Sequence, residues 1–441
     1  MSLPKYSEYK KTNVDWLTEV PAHWNIQSCR GVLTDRNERN DPLINENYLS
    51  LMANIGIILY EEKGDVGNKK PEDLGKCKQV YPGDLVINSM NYGIGSYGLS
   101  KHRGVCSPVY IVLKPKLKEV EERYIFRILE IKKFQQYAQS FGNGILEHRA
   151  SISWDILKNI GLPIPPIKEQ EVIVQFLDHE VDKIDKLILE QEKLIELLRE
   201  KRQIVISEAV TKGLNPKVKV KDSGVAWLGK VPESWDIVRL KKITSRISSG
   251  KTPSGGAEVY VDIGVIFLRS QNVYDEGLRL EDVVRIPEKI DAEMSSSRVK
   301  GGDILLNITG GSIGRSCCLP YDFESANVNQ HVCAIRLSDP DMVSFVELFF
   351  KSDIIKKQID YIQNGAAREG LNFEQIGNFS ICIPPPDERK LLVEEVKRKI
   401  KNFNDLISQI IESTSLLQER RSALISAAVS GQIDVRTTNG N

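Results

Sequence analysis

The sequence predicts an α+β protein in which two similar mixed α/β domains are separated by two long helices that form an antiparallel coiled coil. Two stretches of strong helix formers, Glu169–Thr211 and Glu388–Ser430, contain neither proline nor glycine. Prolines stand just before each stretch and a glycine stands just after it, as at the two ends of a helix. Residues around both stretches recur in the same order in the two halves, most of them 219 positions apart, which predicts an internal pseudo-two-fold repeat.

The segment before the first long helix has the pattern of a mixed α/β domain. Asp84–Asn88 and Val109–Leu113 are short apolar runs bounded by glycine, proline or polar residues, which is typical of buried strands. Tyr124–Gln139 has a helical pattern. We expect four regions, which are a first globular domain over 1–158, a central helix region over 159–213, a second globular domain over 214–376 and a C-terminal helix region over 377–441.

The first long helix carries an apolar seam that averages about 3.5 residues between members, the spacing of a helix packed against a partner helix. Its members are Leu177, Val181, Ile184, Ile188, Ile195, Leu198, Val205 and Ala209. At about 1.5 Å per residue the helix is roughly 65 Å long, too long to bury this seam against one compact domain. The partner is predicted to be the second long helix, with Leu177 near Ala428 and Ala209 near Val396.

The second half of the chain repeats the landmarks of the first half. Position 83 and position 302 differ by 219, and both open a Gly-Asp-apolar run that ends in Asn. The matching pairs are Gly83–Asn88 with Gly302–Asn307, Trp16–Trp24 with Trp227–Trp235, and Ile164–Pro166 with Ile383–Pro385. The chain is therefore one unit written twice, and each unit is a globular piece followed by a long helix. Between the landmarks the two globular pieces share little sequence, so similar frames are expected to carry different surfaces.

Composition excludes several classes of protein. Hydrophobic residues make up 41% and charged residues 27% of the 441 residues, which is ordinary for a globular protein, and no apolar run is long enough to span a membrane. The start has no apolar signal-peptide region, and seven cysteines without framework spacing indicate a reducing cytoplasm. Sixty basic and sixty acidic residues give no net charge, whereas proteins that bind DNA mainly through its phosphates are usually more basic.

Motifs for catalysis fail on their spacing. Gly250-Lys251-Thr252 resembles the end of a phosphate-binding loop, but Ser245 stands where that motif needs a glycine. Asp387 and Glu395 resemble a nuclease pattern, yet they fall at the start and on the surface of the second long helix. No methyltransferase motif and no metal-binding cluster is visible, so neither a cofactor nor a metal is expected.

Polar loops are the best candidates for function. Bases in DNA are read by Arg, Lys, Asn, Gln, Ser and Thr side chains held on a rigid frame, although Asn, Ser and Gly also simply make turns. Because these loops differ between two copies of one frame, a binding role is favoured. The DNA-binding candidates are Arg36, Asn37, Arg39, Asn54, Ser89, Asn91, Tyr92 and Arg149 in the first domain, and Lys251, Thr252, Ser254, Arg269, Gln271, Asn272, Arg315 and Arg368 in the second.

The order of these features resembles the specificity subunit of type I restriction–modification systems. The match consists of a globular piece, Ile-Pro-x-Pro or Ile-Pro-Pro, a long helix ending in Ile-Ser-x-Ala-Val, the same series again, and Trp-Leu-Gly-Lys-Val-Pro-Glu-Ser-Trp at the start of the second piece. The resemblance covers essentially the whole chain. It implies two target-recognition domains, each reading one half of a bipartite, asymmetric site in double-stranded DNA.

The resemblance also implies partners. In the family this subunit is not catalytic, and it docks two methyltransferase subunits, which use S-adenosylmethionine, and restriction subunits, which use ATP and magnesium. Such a complex methylates host DNA and defends the cell against viruses. If the helix pair fixes two reading domains on one face of DNA, the half-sites are expected about one helical turn apart, roughly 10 bp. A DNA-free coiled-coil scaffold, or an enzyme with a cryptic nuclease or methyltransferase site, remains an alternative, and the sequence of the DNA site cannot be carried over.

Overall fold

The computed structural model describes residues 3–67, 69–116, 118–142, 151–363 and 370–436. The chain divides into two compact units. Unit 1 comprises Met1–Gln191 and Ile411–Asn441, and unit 2 comprises Glu192–Ile410. Each unit therefore contains one globular part together with one half of each long helix.

Unit 1 opens with short strands and small helices that lead to the first long helix. Its strands are β1 (Tyr9–Val14), β2 (Leu17–Pro21), β3 (Asn25–Ser28), β4 (Leu33–Asp35), β5 (Leu49–Met52), β6 (Gly56–Leu59), β7 (Lys78–Val80), β8 (Leu85–Asn88), β9 (Tyr97–Leu99), β10 (Gly104–Cys106), β11 (Tyr110–Pro115) and β12 (Gly161–Ile164). Its helices are α1 (Cys29–Val32), α2 (Glu122–Leu129), α3 (Lys132–Ser140), α4 (Trp154–Leu157) and α5 (Ile167–Lys212), of which α5 continues into unit 2.

The centre of unit 1 is an antiparallel four-stranded sheet in the order β4-β11-β8-β9. The strand pairs β5-β6, β10-β7, β12-β3 and β1-β2 surround it. One face of the sheet packs on α2 and α3, where Trp24, Tyr124 and Phe134 are fully buried. A smaller core lies on the other face, between the sheet and β5, β6, β7 and β10.

Unit 2 follows the same plan. Its strands are β13 (Val220–Asp222), β14 (Lys230–Pro232), β15 (Asp236–Arg239), β16 (Thr244–Ser249), β17 (Val265–Leu268), β18 (Val273–Tyr274), β19 (Gly277–Leu278), β20 (Val284–Ile286), β21 (Arg298–Val299), β22 (Ile304–Asn307), β23 (Ser316–Cys318), β24 (Ala326–Val328), β25 (Val332–Leu337) and β26 (Ser380–Ile383). Its helices are α6 (Glu288–Glu293), α7 (Val343–Phe350), α8 (Asp353–Gln363), α9 (Phe373–Gly377) and α10 (Pro386–Val429), of which α10 continues into unit 1.

The sheet β16-β25-β22-β23 of unit 2 repeats the sheet β4-β11-β8-β9 of unit 1 strand for strand. A second four-stranded sheet of unit 2, β20-β17-β24-β21, in which β17 and β24 run parallel, corresponds to the pairs β5-β6 and β10-β7 of unit 1, which the parallel bridge Tyr48–Val105 joins. Its residues form a core of their own against β22, β23 and β25. The predicted fold class, with two similar mixed α/β parts and two long helices, is confirmed.

The repeated Gly-Asp pair has the same structural role in both units. Gly83 and Gly302 adopt φ values of 86° and 84°, a left-handed conformation that favours glycine. The following aspartates, Asp84 and Asp303, are buried and each accepts a backbone N–H from three residues upstream. Each carboxylate also binds an arginine side chain. The partners are Arg36 for Asp84 and Arg336 for Asp303. In each unit this ion pair fixes the turn that leads into β8 or β22.

The two long helices pair antiparallel within each unit, as the seam predicts. In unit 1, Leu177 and Ala428 are fully buried in one core. In unit 2, Ala209 and Val396 share another core. The seam is less buried at Leu198 and Leu417, which are only half-buried, so the packing is strongest where the helices also touch the globular parts.

Two further features of the described residues bear on the class of protein. All seven cysteines are free thiols, and Cys317 and Cys318 are not joined to each other. No described helix is both long enough and apolar enough to cross a bilayer.

Candidate nucleic-acid interface

Several polar loops of unit 2 meet at one edge of its central sheet. Because β16 and β22 both run antiparallel to β25, the loops that leave them lie beside the turn that enters β25. The loop that leaves β17 joins them, since Asn329 N–H donates to the Leu268 carbonyl at 3.0 Å. We name the resulting surface, formed by residues 250–254, 269–272, 309–315 and 329–331, the unit 2 loop edge.

The first segment of the unit 2 loop edge carries Lys251, Thr252 and Ser254, all of which are exposed. Gly250 precedes them and packs against the end of β24. A Cβ atom on Gly250 would lie 1.7 Å from the Val328 carbonyl oxygen. Lys251 N–H then donates to that same carbonyl at 3.2 Å. The glycine therefore explains why this loop lies flat against residues 328–330 and presents its side chains outward.

The second segment shows a division between a supporting residue and two presented ones. Asn272 is 1% exposed; its Oδ1 accepts Arg269 N–H at 2.9 Å and its Nδ2 donates to the Arg279 carbonyl at 2.9 Å. Gln271 is exposed. Arg269 is half-buried, donates to the Asp282 carbonyl and lies 5.8 Å from the centre of the Tyr260 ring.

Two guanidinium groups share one aromatic ring beside this segment. The Arg279 guanidinium lies 3.7 Å and the Arg315 guanidinium 5.0 Å from the centre of the Tyr274 ring, and both arginines are exposed. Such cation–π contacts hold a charged group in place while its N–H donors still face solvent. The arrangement places one fixed cation on the loop edge and one beside it, both suited to phosphate oxygens or to a guanine edge.

Gln330 and His331 at this edge, and Arg279 beside it, were not predicted from the sequence. Gln330 is exposed, and it bonds both Thr252 and His331. The sequence signal for Gln330 and His331 is a polar turn between two apolar strands, Ala326–Val328 and Val332–Leu337.

The equivalent edge of unit 1 brings together three of its candidates. Asn54 adopts φ 61° and its N–H donates to the Gly95 carbonyl at 2.9 Å, which joins its turn to the loop after β8. That loop carries Asn91, whose carbonyl accepts N–H groups from Ile94 and Ser96. Ser89 Oγ donates to the Val109 carbonyl, at the entry to β11.

Asn37 and Arg39 follow β4 and belong to the same edge of unit 1. Both are exposed, and Arg39 forms an isolated bridge with Lys78 and donates to the Lys76 carbonyl at 2.6 Å. The Lys78 ammonium donates to the Tyr110 carbonyl at 2.8 Å, next to the carbonyl that Ser89 uses.

Two candidates of unit 1 have structural surroundings that do not suit base contact. Tyr92 is fully buried and its hydroxyl donates to the Leu129 carbonyl at 2.8 Å. Arg36 extends toward the opposite end of β8, where it binds Asp84 through Nε at 2.8 Å and Nη2 at 3.1 Å. Together with Asn272 in unit 2, these residues support the loops and the sheet. Their surroundings do not favour direct contact with bases. Arg149 and Arg368 lie outside the described residues.

Electrostatics agree with the structural role of Arg36. Burial opposes its charge, yet hydrogen bonding and attraction to Asp84 and Glu38 raise the pKa of Arg36 above its ordinary value. Burial raises the pKa of Asp84, although its bonds to Arg36 and to the Tyr81 N–H act in the other direction. The pair is thus a buried clamp whose charges are already neutralised within the protein, unlike the exposed cations of the unit 2 loop edge.

Among the described residues, no group of three or more His, Cys, Asp or Glu side chains is arranged so that it could hold a metal ion.

Comparison with known proteins gives a family match over both halves of the chain. The family model for the type I restriction modification DNA specificity domain matches residues 28–199 and again 232–414. The MjaVIII specificity subunit of a type I restriction enzyme from Methanocaldococcus jannaschii is 26% identical over 365 residues, which cover 82% of this chain and 81% of that protein. The putative MjaX specificity subunit from the same organism is 21% identical over 449 residues, with 98% of each chain covered.

A solved structure shares the fold. It is described as "Structural basis underlying complex assembly and conformational transition of the type I R-M system", and one of its chains superposes with a TM-score of 0.68 at 14% sequence identity. The superposition covers 93% of this chain and 98% of that one.

Proposed function

Because this chain belongs to the family defined by the type I restriction modification DNA specificity domain, we propose that it reads a bipartite, asymmetric DNA site with one target-recognition domain for each half-site. The observation that carries the proposal is the repeated loop edge. Two copies of one sheet present loops at the same edge, and the side chains on those loops differ between the copies. Two similar frames with different reading surfaces suit a site whose two halves differ in sequence.

The chemistry of the two edges supports direct reading of bases. Asn54, Ser89 and Asn91 in unit 1, and Lys251, Thr252, Arg269, Gln271 and Arg315 in unit 2, are the side-chain types that recognise base edges in the major groove. Backbone hydrogen bonds hold several of their loops in place: Asn91 N–H donates to the Asn88 carbonyl, Asn307 N–H donates to the Arg315 carbonyl, and Lys251 N–H donates to the Val328 carbonyl. A rigid frame lowers the entropy lost on binding and so favours discrimination between similar sequences.

The zero net charge of the chain supports a complex in which partner subunits contribute to DNA binding. Because sixty acidic residues balance the sixty basic ones, the chain has no excess of positive charge to attract phosphates, so we infer that partner subunits supply most of the salt-dependent affinity. We assign this role to two methyltransferase subunits, with restriction subunits joining the complex, and we place the complex in the cytoplasm. Methylation and cleavage then belong to those partners, and this chain acts as the non-catalytic specificity subunit.

Sequencing of DNA methylation in a host with and without this chain tests the proposal. With the partner methyltransferase present in both strains, we expect one bipartite methylated sequence to disappear when the chain is deleted. An unchanged methylation pattern would refute the DNA-reading role and favour a scaffold. Methylation by the purified chain alone would instead refute the non-catalytic assignment.

A further inference from the structure

A chain of hydrogen bonds links four side chains at the unit 2 loop edge. Thr252 Oγ1 donates to Gln330 Oε1 at 2.6 Å, and Gln330 Nε2 lies 3.1 Å from His331 Nε2. His331 Nδ1 lies 2.6 Å from Thr309 Oγ1. The four residues come from three separate loops, so the bonds hold these loops in one relative arrangement.

The chemistry of these groups fixes the direction of each bond. An amide nitrogen only donates, so His331 Nε2 accepts from Gln330 and the neutral imidazole carries its proton on Nδ1. That proton is donated to Thr309 Oγ1. The Gln330 amide oxygen has two lone pairs and the amide nitrogen has two N–H groups, so each atom keeps one free position after these bonds are made.

The backbone beneath Gln330 is equally constrained. Val332 N–H donates to the Asn329 carbonyl at 3.2 Å, which closes a turn around Gln330 and His331. Asn329 Oδ1 accepts His331 N–H at 3.2 Å. The close approach of Gly250 to Val328 seats Thr252 over this turn. Gln330 is nevertheless exposed, so its amide is held in place but open to a ligand.

We propose that Gln330, oriented by Thr252 and His331, is a specificity-determining residue that reads an adenine in the half-site recognised by unit 2. This inference rests on the proposed function. A glutamine amide pairs with adenine by accepting from N6 and donating to N7, which uses one acceptor and one donor position. An amide that is already oriented loses little side-chain entropy when it binds, so it discriminates well.

The test uses the chain assembled with its partner methyltransferase subunits and a DNA library randomised in both half-sites. Glutamate in place of Gln330 retains acceptors but has no N–H, so it disfavours adenine and suits the N4 amino group of cytosine. We expect Gln330→Glu to change the preferred base at one position of one half-site from adenine to cytosine. Gln330→Ala should reduce the adenine preference there by about 5- to 150-fold, the range of one bidentate base contact.

Controls separate this result from charge and folding effects. Gln136 is exposed on α3 of unit 1, so Gln136→Glu makes the same chemical change away from the loop edge and should leave both half-sites unchanged. Thr252→Val removes one bond to the amide and should weaken preference at the same position as Gln330→Ala. Unaltered preference at every position in both Gln330 variants would overturn the inference. Absence of any preferred site in the wild-type complex would instead refute the proposed function itself.

Discussion

Arg421 and Asp185 form an ion pair between the two long helices in unit 1, with Nε and Oδ1 2.8 Å apart. Arg202 and Asn404 hold the equivalent positions in unit 2, since 421 minus 202 and 404 minus 185 both equal 219. There Arg202 Nη1 donates to Asn404 Oδ1 at 2.6 Å. Both units therefore have an arginine of one long helix bonded to a side-chain oxygen of the other. The oxygen belongs to an aspartate in unit 1 and to an asparagine in unit 2.

The first prediction concerns this pair. Arg421 also approaches Glu130, which is 8% exposed in its side chain, so its removal weakens the neutralisation of two carboxylates. We expect Arg421→Ala to lower the free energy of unfolding by about 1–2 kcal/mol, and Arg202→Ala, which loses one bond to a neutral amide, to lower it by less. Urea denaturation of both variants measures the two free energies of unfolding. Equal losses would contradict a stronger contribution of the Arg421 ion pairs than of the Arg202–Asn404 hydrogen bond.

The second prediction concerns the seam. Leu177 is fully buried between α5, α10 and the globular part of unit 1, so Leu177→Ala should cost about 2–5 kcal/mol through lost burial and a cavity. Leu189 lies on the same helix within unit 1 but is 65% exposed, and Leu189→Ala is the matched control with almost no cost. Thermal unfolding that moved equally in both variants would show that the seam is wrongly placed.

The third prediction separates reading from support in adjacent residues. Gln271→Ala should leave unfolding unchanged and reduce discrimination at the unit 2 half-site by about 1–3 kcal/mol, because Gln271 is exposed. Asn272→Ala should reduce both discrimination and stability, because Asn272 is buried and bridges Arg269 to Arg279. Competition binding with the assembled complex measures discrimination, and denaturation of the chain measures stability. A destabilising effect of Gln271→Ala would contradict the assignment of Gln271 to base contact and Asn272 to support.

The fourth prediction is a pH dependence at the end of the chain. Hydrogen bonding from Arg436 lowers the pKa of Asp434 below its ordinary value of 3.8. A carboxyl group with a lowered folded-state pKa stabilises the protein above its unfolded-state pKa, and that contribution is lost as the pH falls through the folded-state value. Asp434→Asn should therefore lower the melting temperature near neutral pH, and the gap to wild type should close as the pH falls below about 4. A gap that stayed constant to low pH would contradict the ion-pair explanation.

Local periodicity explains how much of the fold could be predicted. The seam and the Gly-Asp repeat were visible because helix packing and left-handed turns leave signals within a few residues. The second sheet of unit 2 was not predicted, because the parallel pairing of Phe267 with Asn327 joins residues that are distant in sequence. Loop composition identified the region of the site but not the direction of each side chain. Composition does not separate Tyr92 and Asn272 from their exposed neighbours, whereas their burial in the structure does.

The structure defines bounds for a domain exchange that keep two supports of the segment intact. Residues 29–158 begin after β3 and end before β12, so an exchange there leaves the β3–β12 pair intact. It also leaves the buried Glu169 at the start of α5 with its native partners, since the Tyr6 hydroxyl and the Trp24 indole N–H donate to Glu169 and the His23 Nε2 lies 2.8 Å from it.

The central claim is that each unit reads its own half-site, and the methylated sequence of such a chimera tests it most directly. Residues 29–158 are replaced by the corresponding segment of a relative with a different DNA site, and methylation is mapped in a host that supplies the partner methyltransferase. If each unit reads its own half-site, one half of the methylated sequence changes to that of the relative while the other half stays the same. A chimera that assembles and methylates DNA at a site altered in both halves, or in neither half, would contradict it.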